Sequence, residues 1–154
     1  IYRRMSFDIL KDRSIGNLWI INSDGTNHQK LTSIESSEYG AVWSPSGDRL
    51  AFISSTEQGP EIYIYWNNSA KYARISQLDG SPSNLAWSLN GENLAFTMKV
   101  KTSPPVLVKM PKKPTGAKWA KTARITDRLY HEADGKGYID NVLMTVVNYW
   151  IKKT

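Results

Sequence analysis

A chain of 154 residues is long enough for one domain that buries about 70% of the surface its unfolded form exposes. It contains no cysteine, which excludes a disulfide framework and thiolate catalysis, and no apolar run approaches the roughly 20 residues that cross a bilayer. We therefore expect a soluble protein with no membrane partner. The location stays open, with the cytoplasm slightly favoured over the periplasm.

The net charge of +6 is concentrated in one segment. Between Lys99 and Arg128 lie nine basic residues, counting both ends, and a single acidic one. A basic patch attracts nucleic acid, and neutralising Lys109, Lys112 and Lys113 would then abolish binding. Four prolines interrupt the segment, however, and only Trp119 offers a ring on which bases could stack. A solvated loop is the preferred interpretation, and nucleic acid is not expected as a partner.

Short β-favouring runs alternate with turn signals along the chain. The first 33 residues contain an N-terminal strand, the apolar run Leu18–Ile21, an Asp-Gly hairpin turn at positions 24 and 25, and a short return strand. The segment Trp43–Phe52 then places a Pro-Ser-Gly-Asp turn between two apolar runs, which predicts a hairpin. Glu61–Trp66 is the most regular strand, and a tail rich in β-branched residues over 142–151 predicts another.

The hairpin segment Trp43–Phe52 occurs twice, with a period of 44 residues. Six residue types are shared by the copies, at Trp43, Ser44, Gly47, Leu50, Ala51 and Phe52 and again at Trp87, Ser88, Gly91, Leu94, Ala95 and Phe96. The same spacing relates Leu18–Ile21 to Ile62–Tyr65, and Ile62–Ile64 to Val106–Val108. A period of roughly 40 to 45 residues is typical of four-stranded, WD40-like propeller blades. The repeated tryptophans are expected to be blade core and not ligand platforms.

The sequence therefore predicts an all-β fold, a partial β-propeller of four-stranded antiparallel blades in a single domain, 1–154. Residues 1–33 are expected to form a partial blade, 40–76 and 84–126 two blades, and 127–154 the start of a further blade with the tail strand. Repeats of this kind cannot bury their apolar faces alone, and closed propellers typically carry four to eight blades. The chain also begins at Ile1 and not at Met. We expect either a piece of a longer chain or completion by a second copy.

With these residues assembled, the chain resembles the β-propeller of prolyl-oligopeptidase-type serine peptidases, in particular the acylaminoacyl-peptidase and dipeptidyl-peptidase branch. It is similar, more loosely, to TolB-type propellers. The resemblance covers about residues 1 to 140. Leu18–Thr32 and Trp43–Phe52 are features that many propellers share, whereas Ile125–Tyr130 together with Asp134–Asp140 resembles the peptidase propellers and favours them over TolB. The resemblance implies that full-length relatives are serine peptidases whose propeller restricts access to a separate α/β-hydrolase domain.

No catalytic motif accompanies this resemblance. The Gly-x-Ser-x-Gly elbow of α/β-hydrolases needs two glycines four positions apart, and none of the ten glycines has that spacing. His28 and His131 have no cysteine with which to form a recognisable zinc site, and no phosphate-binding glycine loop is present. We expect no catalytic residue, no metal and no cofactor, so the chain is predicted not to be an enzyme by itself.

The weak candidates for a recognition site are His131, Glu132 and Asp134. In dipeptidyl peptidases a propeller segment presents paired acidic residues to the amino group of the substrate, and the resemblance implies this part for Glu132 and Asp134. A carboxylate facing an ammonium group is a sound recognition device. On the residues alone, the preferred interpretation is a solvated hairpin at Asp134 and Gly135.

Two functions stay open at this point. The first is a non-catalytic propeller segment that gates access to the hydrolase domain of a serine peptidase. The second is a free-standing, TolB-like interaction module that binds a peptide or protein partner and self-associates through exposed strand edges. The apolar tail strand is the edge expected to pair outside its own subunit.

Overall fold

The computed structural model describes residues 1–102, 111–120, 129–135, 137–139 and 142–150. These ranges contain twelve β-strands and no helix, so the predicted all-β class is confirmed. In particular, they hold no helix with the length and apolar character that crossing a bilayer requires. The chain divides into two compact units, one of Ile1–Val100 with Met144–Thr154 and the other of Lys101–Leu143.

The first sheet of the larger unit has three antiparallel strands, in the order β1 (Tyr2–Asp8), β2 (Arg13–Ile20) and β3 (Gln29–Lys30). The predicted Asp-Gly hairpin lies between β2 and β3, where Gly25 has a φ of 86° and its N–H donates to the Asn22 carbonyl over 3.0 Å. Glycine adopts this left-handed conformation without the steric cost of a side chain. The hairpin prediction is therefore confirmed.

The second sheet is a complete four-stranded antiparallel blade. Its strands follow chain order, as β4 (Ser37–Trp43), β5 (Arg49–Thr56), β6 (Gly59–Trp66) and β7 (Lys71–Arg74). The predicted turn joins β4 to β5: the Ser44 N–H donates to the Arg49 carbonyl over 2.8 Å, and Gly47 has a φ of 71°.

The third sheet repeats the same turn. It contains β8 (Pro82–Trp87) and β9 (Asn93–Lys101), joined by a turn in which the Ser88 N–H donates to the Asn93 carbonyl over 2.9 Å and Gly91 has a φ of 68°. Both copies of the predicted hairpin therefore have the same hydrogen bonding and the same left-handed glycine.

The tail forms the predicted strand, but its neighbour differs from the expectation. The smaller unit contributes the hairpin of β10 (Glu132–Ala133) and β11 (Gly137–Tyr138), and β12 (Val142–Trp150) follows. β12 pairs with β9, giving the order β12-β9-β8, whereas the sequence placed it at the start of a further blade. The free edge of β9 offers backbone donors and acceptors, and Val147 packs onto the core there.

The later strands predicted for the third copy, at Val106–Val108 and Ala123–Thr126, lie outside the described residues. The predicted blade limits stay a prediction.

Two apolar cores hold the three sheets together. The core between the first and second sheets has these buried residues: Leu18, Leu31, Leu50, Phe52 and Tyr65. The core between the second and third sheets has these: Ala51, Ile53, Ile62, Ile64, Leu85, Leu94 and Phe96. The second sheet is thus covered on both faces, as expected for a blade with a neighbour on either side.

Candidate functional site

The second and third sheets are joined by a buried arginine at the start of β5. Arg49 is only 7% exposed, and its Nη2 donates to the Gly91 carbonyl over 2.8 Å. The guanidinium carbon lies 5.1 Å from the centre of the Trp87 ring, and the Trp87 Nε1 donates to the Val42 carbonyl over 3.1 Å. We call these contacts the Arg49 clamp. They attach the turn between β8 and β9 of the third sheet to Arg49, the first residue of β5 in the second sheet.

A buried carboxylate joins the first sheet to the second. Glu38 on β4 is fully buried. One carboxylate oxygen accepts the Leu18 N–H over 2.9 Å, and the other accepts the Thr32 hydroxyl. The backbone carbonyl of Glu38 accepts the Arg3 Nε over 2.8 Å. Because a buried charge is costly unless hydrogen-bonded, this carboxylate allows only a narrow range of positions for the two sheets.

A second buried carboxylate, Glu61 on β6, holds the connection that leaves the second sheet. It accepts the Ser76 hydroxyl and, over 3.1 Å, the Leu78 N–H. The Ser76 hydroxyl oxygen also accepts the Ile62 N–H over 2.8 Å. Thr32 and Ser76 occupy matching positions of the 44-residue repeat, so each copy binds a buried glutamate through a hydroxyl group. This is a structural device that sequence reasoning missed, although the matching hydroxyl residues were visible.

The repeated phenylalanine, glycine and tryptophan residues lie in three kinds of environment. Phe52 is fully buried and Phe96 is 1% exposed, as expected of blade core. Gly47 and Gly91 form the two turns. The tryptophans differ from each other. Trp43 is 38% exposed and is not core, whereas Trp87 is half-buried, packs against the core between the second and third sheets, and lies beside the Arg49 guanidinium.

The turn before Arg49 contains Asp48. Among the described residues of the larger unit, it is the acid whose pKa departs most from its ordinary value. The hydroxyl groups of Ser46 and Ser44 donate to the Asp48 carboxylate and lower its pKa to about 2. The Arg49 Nε lies 3.4 Å from the same carboxylate. Its hydrogen bonds are local to the turn, so Asp48 stabilises the hairpin and does not resemble a catalytic acid.

The predicted recognition residues lie on the hairpin of the smaller unit. Glu132 on β10 pairs with Tyr138 on β11, and Asp134 lies in the turn between them. The His131 ring stacks on Tyr138 with 6.4 Å between ring centres, and its Nδ1 lies 3.3 Å from the Leu129 carbonyl. The three candidate side chains are solvent-exposed neighbours. That Glu132 and Asp134 bind an amino group stays a prediction.

The basic segment is described only in part. Lys112 and Lys113 are exposed and Trp119 is 48% exposed, whereas Lys109 lies outside the described residues. Within the ranges that the structure covers, no three acidic or histidine side chains come close enough together to hold a metal ion.

An aromatic and basic cluster lies on the first sheet, on the face that points away from the second. We call it the first-sheet face; its residues are Tyr2, Arg4, Trp19 and His28. The Trp19 and His28 ring centres are 5.2 Å apart, and the Arg4 guanidinium carbon lies 5.2 Å from the centre of the Trp19 ring. The Tyr2 hydroxyl lies 2.6 Å from the His28 Nε2. Tyr2 is nevertheless 40% exposed, so the face is organised but uncovered.

Comparison with known proteins places this arrangement among β-propellers. No protein-family model matches the chain. Dipeptidyl-peptidase 5 of Porphyromonas gingivalis is 33% identical over 48 residues, which is 31% of this chain and 7% of that protein. The chain therefore spans only a small part of this relative.

Two solved structures show the fold directly. Acylaminoacyl peptidase from Pyrococcus horikoshii superposes with a TM-score of 0.71 at 13% identity, over 97% of this chain and 21% of that one. A putative TolB from Agrobacterium tumefaciens superposes with a TM-score of 0.50 at 18% identity, over 63% of this chain and 34% of that one. The predicted resemblance to peptidase and TolB propellers is confirmed in fold, and the chain is a partial β-propeller module.

Proposed function

We propose that this chain is the non-catalytic propeller segment of a prolyl-oligopeptidase-type serine peptidase, where it restricts access to a separate hydrolase domain. The observation that carries the proposal is the superposition of nearly the whole chain on about a fifth of an acylaminoacyl peptidase. The short sequence match to a dipeptidyl peptidase points in the same direction. The missing nucleophile elbow agrees with a role outside the chemistry.

The contacts between sheets suit such a barrier. A propeller can exclude large substrates only if its blades keep their spacing. The Arg49 clamp and the buried Glu38 both lie between sheets and both bind through directional hydrogen bonds. Separating two sheets would expose apolar surface and leave a buried charge without partners, which is costly. The blades are therefore expected to behave as one rigid wall.

We further propose that Glu132 and Asp134 bind the amino group of a peptide at this barrier. Both are exposed on one short hairpin, so both carboxylates are accessible to an ammonium group. Replacing them with Gln and Asn keeps their shape and removes the charge. In the native protein, the double variant should weaken binding of a peptide with a free amino terminus and leave its N-acetylated counterpart unaffected. Equal effects on the two peptides would contradict this role.

The experiment that tests the gating role begins with the native protein. An antibody against this chain should detect a polypeptide several times longer than 154 residues that reacts with a fluorophosphonate probe for active serines. A native protein of the size of this chain, unlabelled by the probe, would contradict the peptidase assignment. In the labelled protein, Arg49→Met should raise the hydrolysis of long peptides relative to short ones, because it loosens two blades. An unchanged ratio would contradict gating while leaving the peptidase assignment intact.

The second candidate is a free-standing interaction module. It is favoured by the first-sheet face, where the rings of Tyr2 and Trp19 both lie against the His28 ring and Tyr2 is 40% exposed. A native protein of about this length would select this function.

A further inference from the structure

The turn between β8 and β9 contains a pair of residues with its own chemistry. Asn90 is the one asparagine, of the ten in the chain, that is followed by glycine. The backbone nitrogen of the next residue can attack the side-chain amide of an asparagine, and glycine has no side chain to shield that nitrogen. The equivalent turn of the second sheet has Ser46 and Gly47 at these positions, 44 residues earlier. Both turns have a left-handed glycine, but only the later one contains the reactive pair.

The hydrogen bonds of the Asn90 side chain polarise its amide. The Ser88 hydroxyl donates to the Asn90 Oδ1 over 2.7 Å, and the Glu92 N–H donates to the same oxygen over 3.1 Å. The Asn90 Nδ2 donates to the Glu92 Oε2 over 3.0 Å. Two donors on the carbonyl oxygen stabilise the negative charge that develops there when the Cγ is attacked. The Asn90 side chain is also exposed, so water reaches the amide.

Two hydrogen bonds restrain the attacking nitrogen while this turn is closed. The Gly91 N–H donates to the Ser88 carbonyl over 2.9 Å, and the Gly91 carbonyl accepts the Arg49 Nη2 over 2.8 Å. The first bond holds the proton that the nitrogen must lose, and the second fixes the next peptide group to another sheet. The reaction therefore needs the turn to open, and its rate follows the population of the open turn. The Arg49 clamp lowers that population.

We propose that Asn90 is a modification site, at which spontaneous deamidation releases the Arg49 clamp and loosens the contact between the second and third sheets. In the open turn, the Gly91 nitrogen loses its proton to solvent and forms a bond to the Asn90 Cγ. The bond between Cγ and Nδ2 breaks, and Nδ2 takes a proton from water and leaves as ammonia. Water then opens the cyclic imide at either carbonyl, which gives aspartate or isoaspartate. The proposal does not depend on the peptidase assignment.

Both products disturb the turn that the Arg49 clamp binds. Isoaspartate connects the backbone through the former side-chain carbon, which lengthens the chain before Gly91 and displaces the carbonyl that Arg49 binds. Aspartate keeps the backbone but replaces the Nδ2 donor with a carboxylate oxygen beside the Glu92 Oε2. Two like charges then lie where a hydrogen bond was, which is unfavourable. Because ammonia has left, closing the turn again does not restore the original contact.

The first experiment follows Asn90 by peptide mass spectrometry while the intact protein is incubated in mildly alkaline buffer. Asn90 should convert ahead of Asn22, an exposed asparagine in the turn between β2 and β3 that serves as the internal reference. Arg49→Met should accelerate conversion at Asn90 at least about tenfold, because it raises the population of the open turn, and should leave Asn22 unchanged. Glu38→Gln is the matched control, since it weakens the other contact between sheets. Conversion of Asn22 first, an unchanged rate in Arg49→Met, or equal acceleration by both variants would overturn the proposal.

The second experiment measures what the modification does to the fold. Asn90→Ser introduces the residue type found at position 46 of the equivalent turn, so the variant should fold and cannot deamidate there. After incubation, the wild-type protein should show a loss of unfolding free energy comparable to that caused by Arg49→Met, whereas Asn90→Ser should keep its value. Incubation of Arg49→Met should convert Asn90 with little further loss, because the clamp is already absent. Unchanged stability of the converted wild-type protein, or an equal loss in Asn90→Ser, would overturn the link between deamidation and the clamp.

Discussion

Replacing Arg49 with methionine tests whether the contacts between blades stabilise the module. Methionine keeps most of the aliphatic length and leaves little cavity. It removes the hydrogen bond to the Gly91 carbonyl and the cation over the Trp87 ring. The buried Gly91 carbonyl then loses its charged donor, and the turn of the third sheet loses its attachment to the second.

The magnitude follows from these contacts. A hydrogen bond from a charged donor contributes about 1.5 to 3 kcal/mol, and a largely desolvated cation over an aromatic ring contributes up to about 2 kcal/mol. Removing a buried cation also relieves part of its desolvation cost. We therefore expect Arg49→Met to lower the free energy of unfolding by about 2 to 4 kcal/mol. Arg49→Lys keeps the charge without the planar donor fork and should lose about half as much.

Urea unfolding followed by tryptophan fluorescence, at a fixed protein concentration, measures this change. A double-mutant cycle with Trp87→Leu should give a coupling of about 1 kcal/mol, because Arg49 and Trp87 are in direct contact. If Arg49→Met changed the free energy of unfolding by less than about 0.5 kcal/mol, as an ordinary surface substitution does, the clamp would not stabilise the fold.

Two further predictions concern the repeated turn. The Asp48 pKa of about 2 lies below its ordinary value of 3.8, so the stability that Asp48 provides is fully present above pH 4 or so and is lost as the pH falls through about 2. Ser46→Ala should raise this pKa toward 3.8 in a carboxyl-carbon NMR titration; an unshifted titration would contradict the hydroxyl's role. Gly47→Ala and Gly91→Ala both place a side chain at positive φ (71° and 68°), which costs about 1 to 2 kcal/mol. The new Cβ meets nothing within 4 Å at Gly47, but at Gly91 it lies 3.3 Å from the Arg49 Nη2. Urea unfolding should therefore show a larger loss of unfolding free energy for Gly91→Ala than for Gly47→Ala. Equal losses would exclude an effect of that contact.

The hairpins could be predicted because their determinants are local. A turn needs a residue that tolerates positive φ at one position, and Gly47 and Gly91 supply it within a few residues of the strands they join. A pair of β-bulges has an equally local determinant but was not predicted. β4 and β8 each contain a bulge, and the residues there with positive φ are Gly40 and Asn84, which are 44 positions apart. Glycine and asparagine are the two residue types that adopt this conformation most readily, so the repeat contained the signal.

The contacts between sheets could not be predicted, because each depends on two residues far apart in the chain. Arg49 and Gly91 are 42 positions apart, and nothing in the local pattern of either predicts the pair. The neighbour of β12 has the same difficulty. Its β-branched residues predicted a strand correctly, but strand propensity does not specify which edge the strand joins. Glu132 and Asp134 became candidate recognition residues through a family resemblance. The sequence predicted a hairpin at Asp134 and Gly135, but it did not predict which residues of β10 and β11 pair.

The repeat also makes the differences between copies informative about how apolar each sheet face is. On the side of the second sheet that the third sheet covers, β5 presents Ala51 and Ile53, both essentially inaccessible to solvent. At the equivalent positions of β9 the third sheet presents Ala95 and Thr97, and both are only partly buried. Exchanging an isoleucine for a threonine removes part of the apolar area that drives blade packing. We therefore expect the third sheet to bind a neighbouring blade through β9 less strongly than the second sheet binds the third through β5.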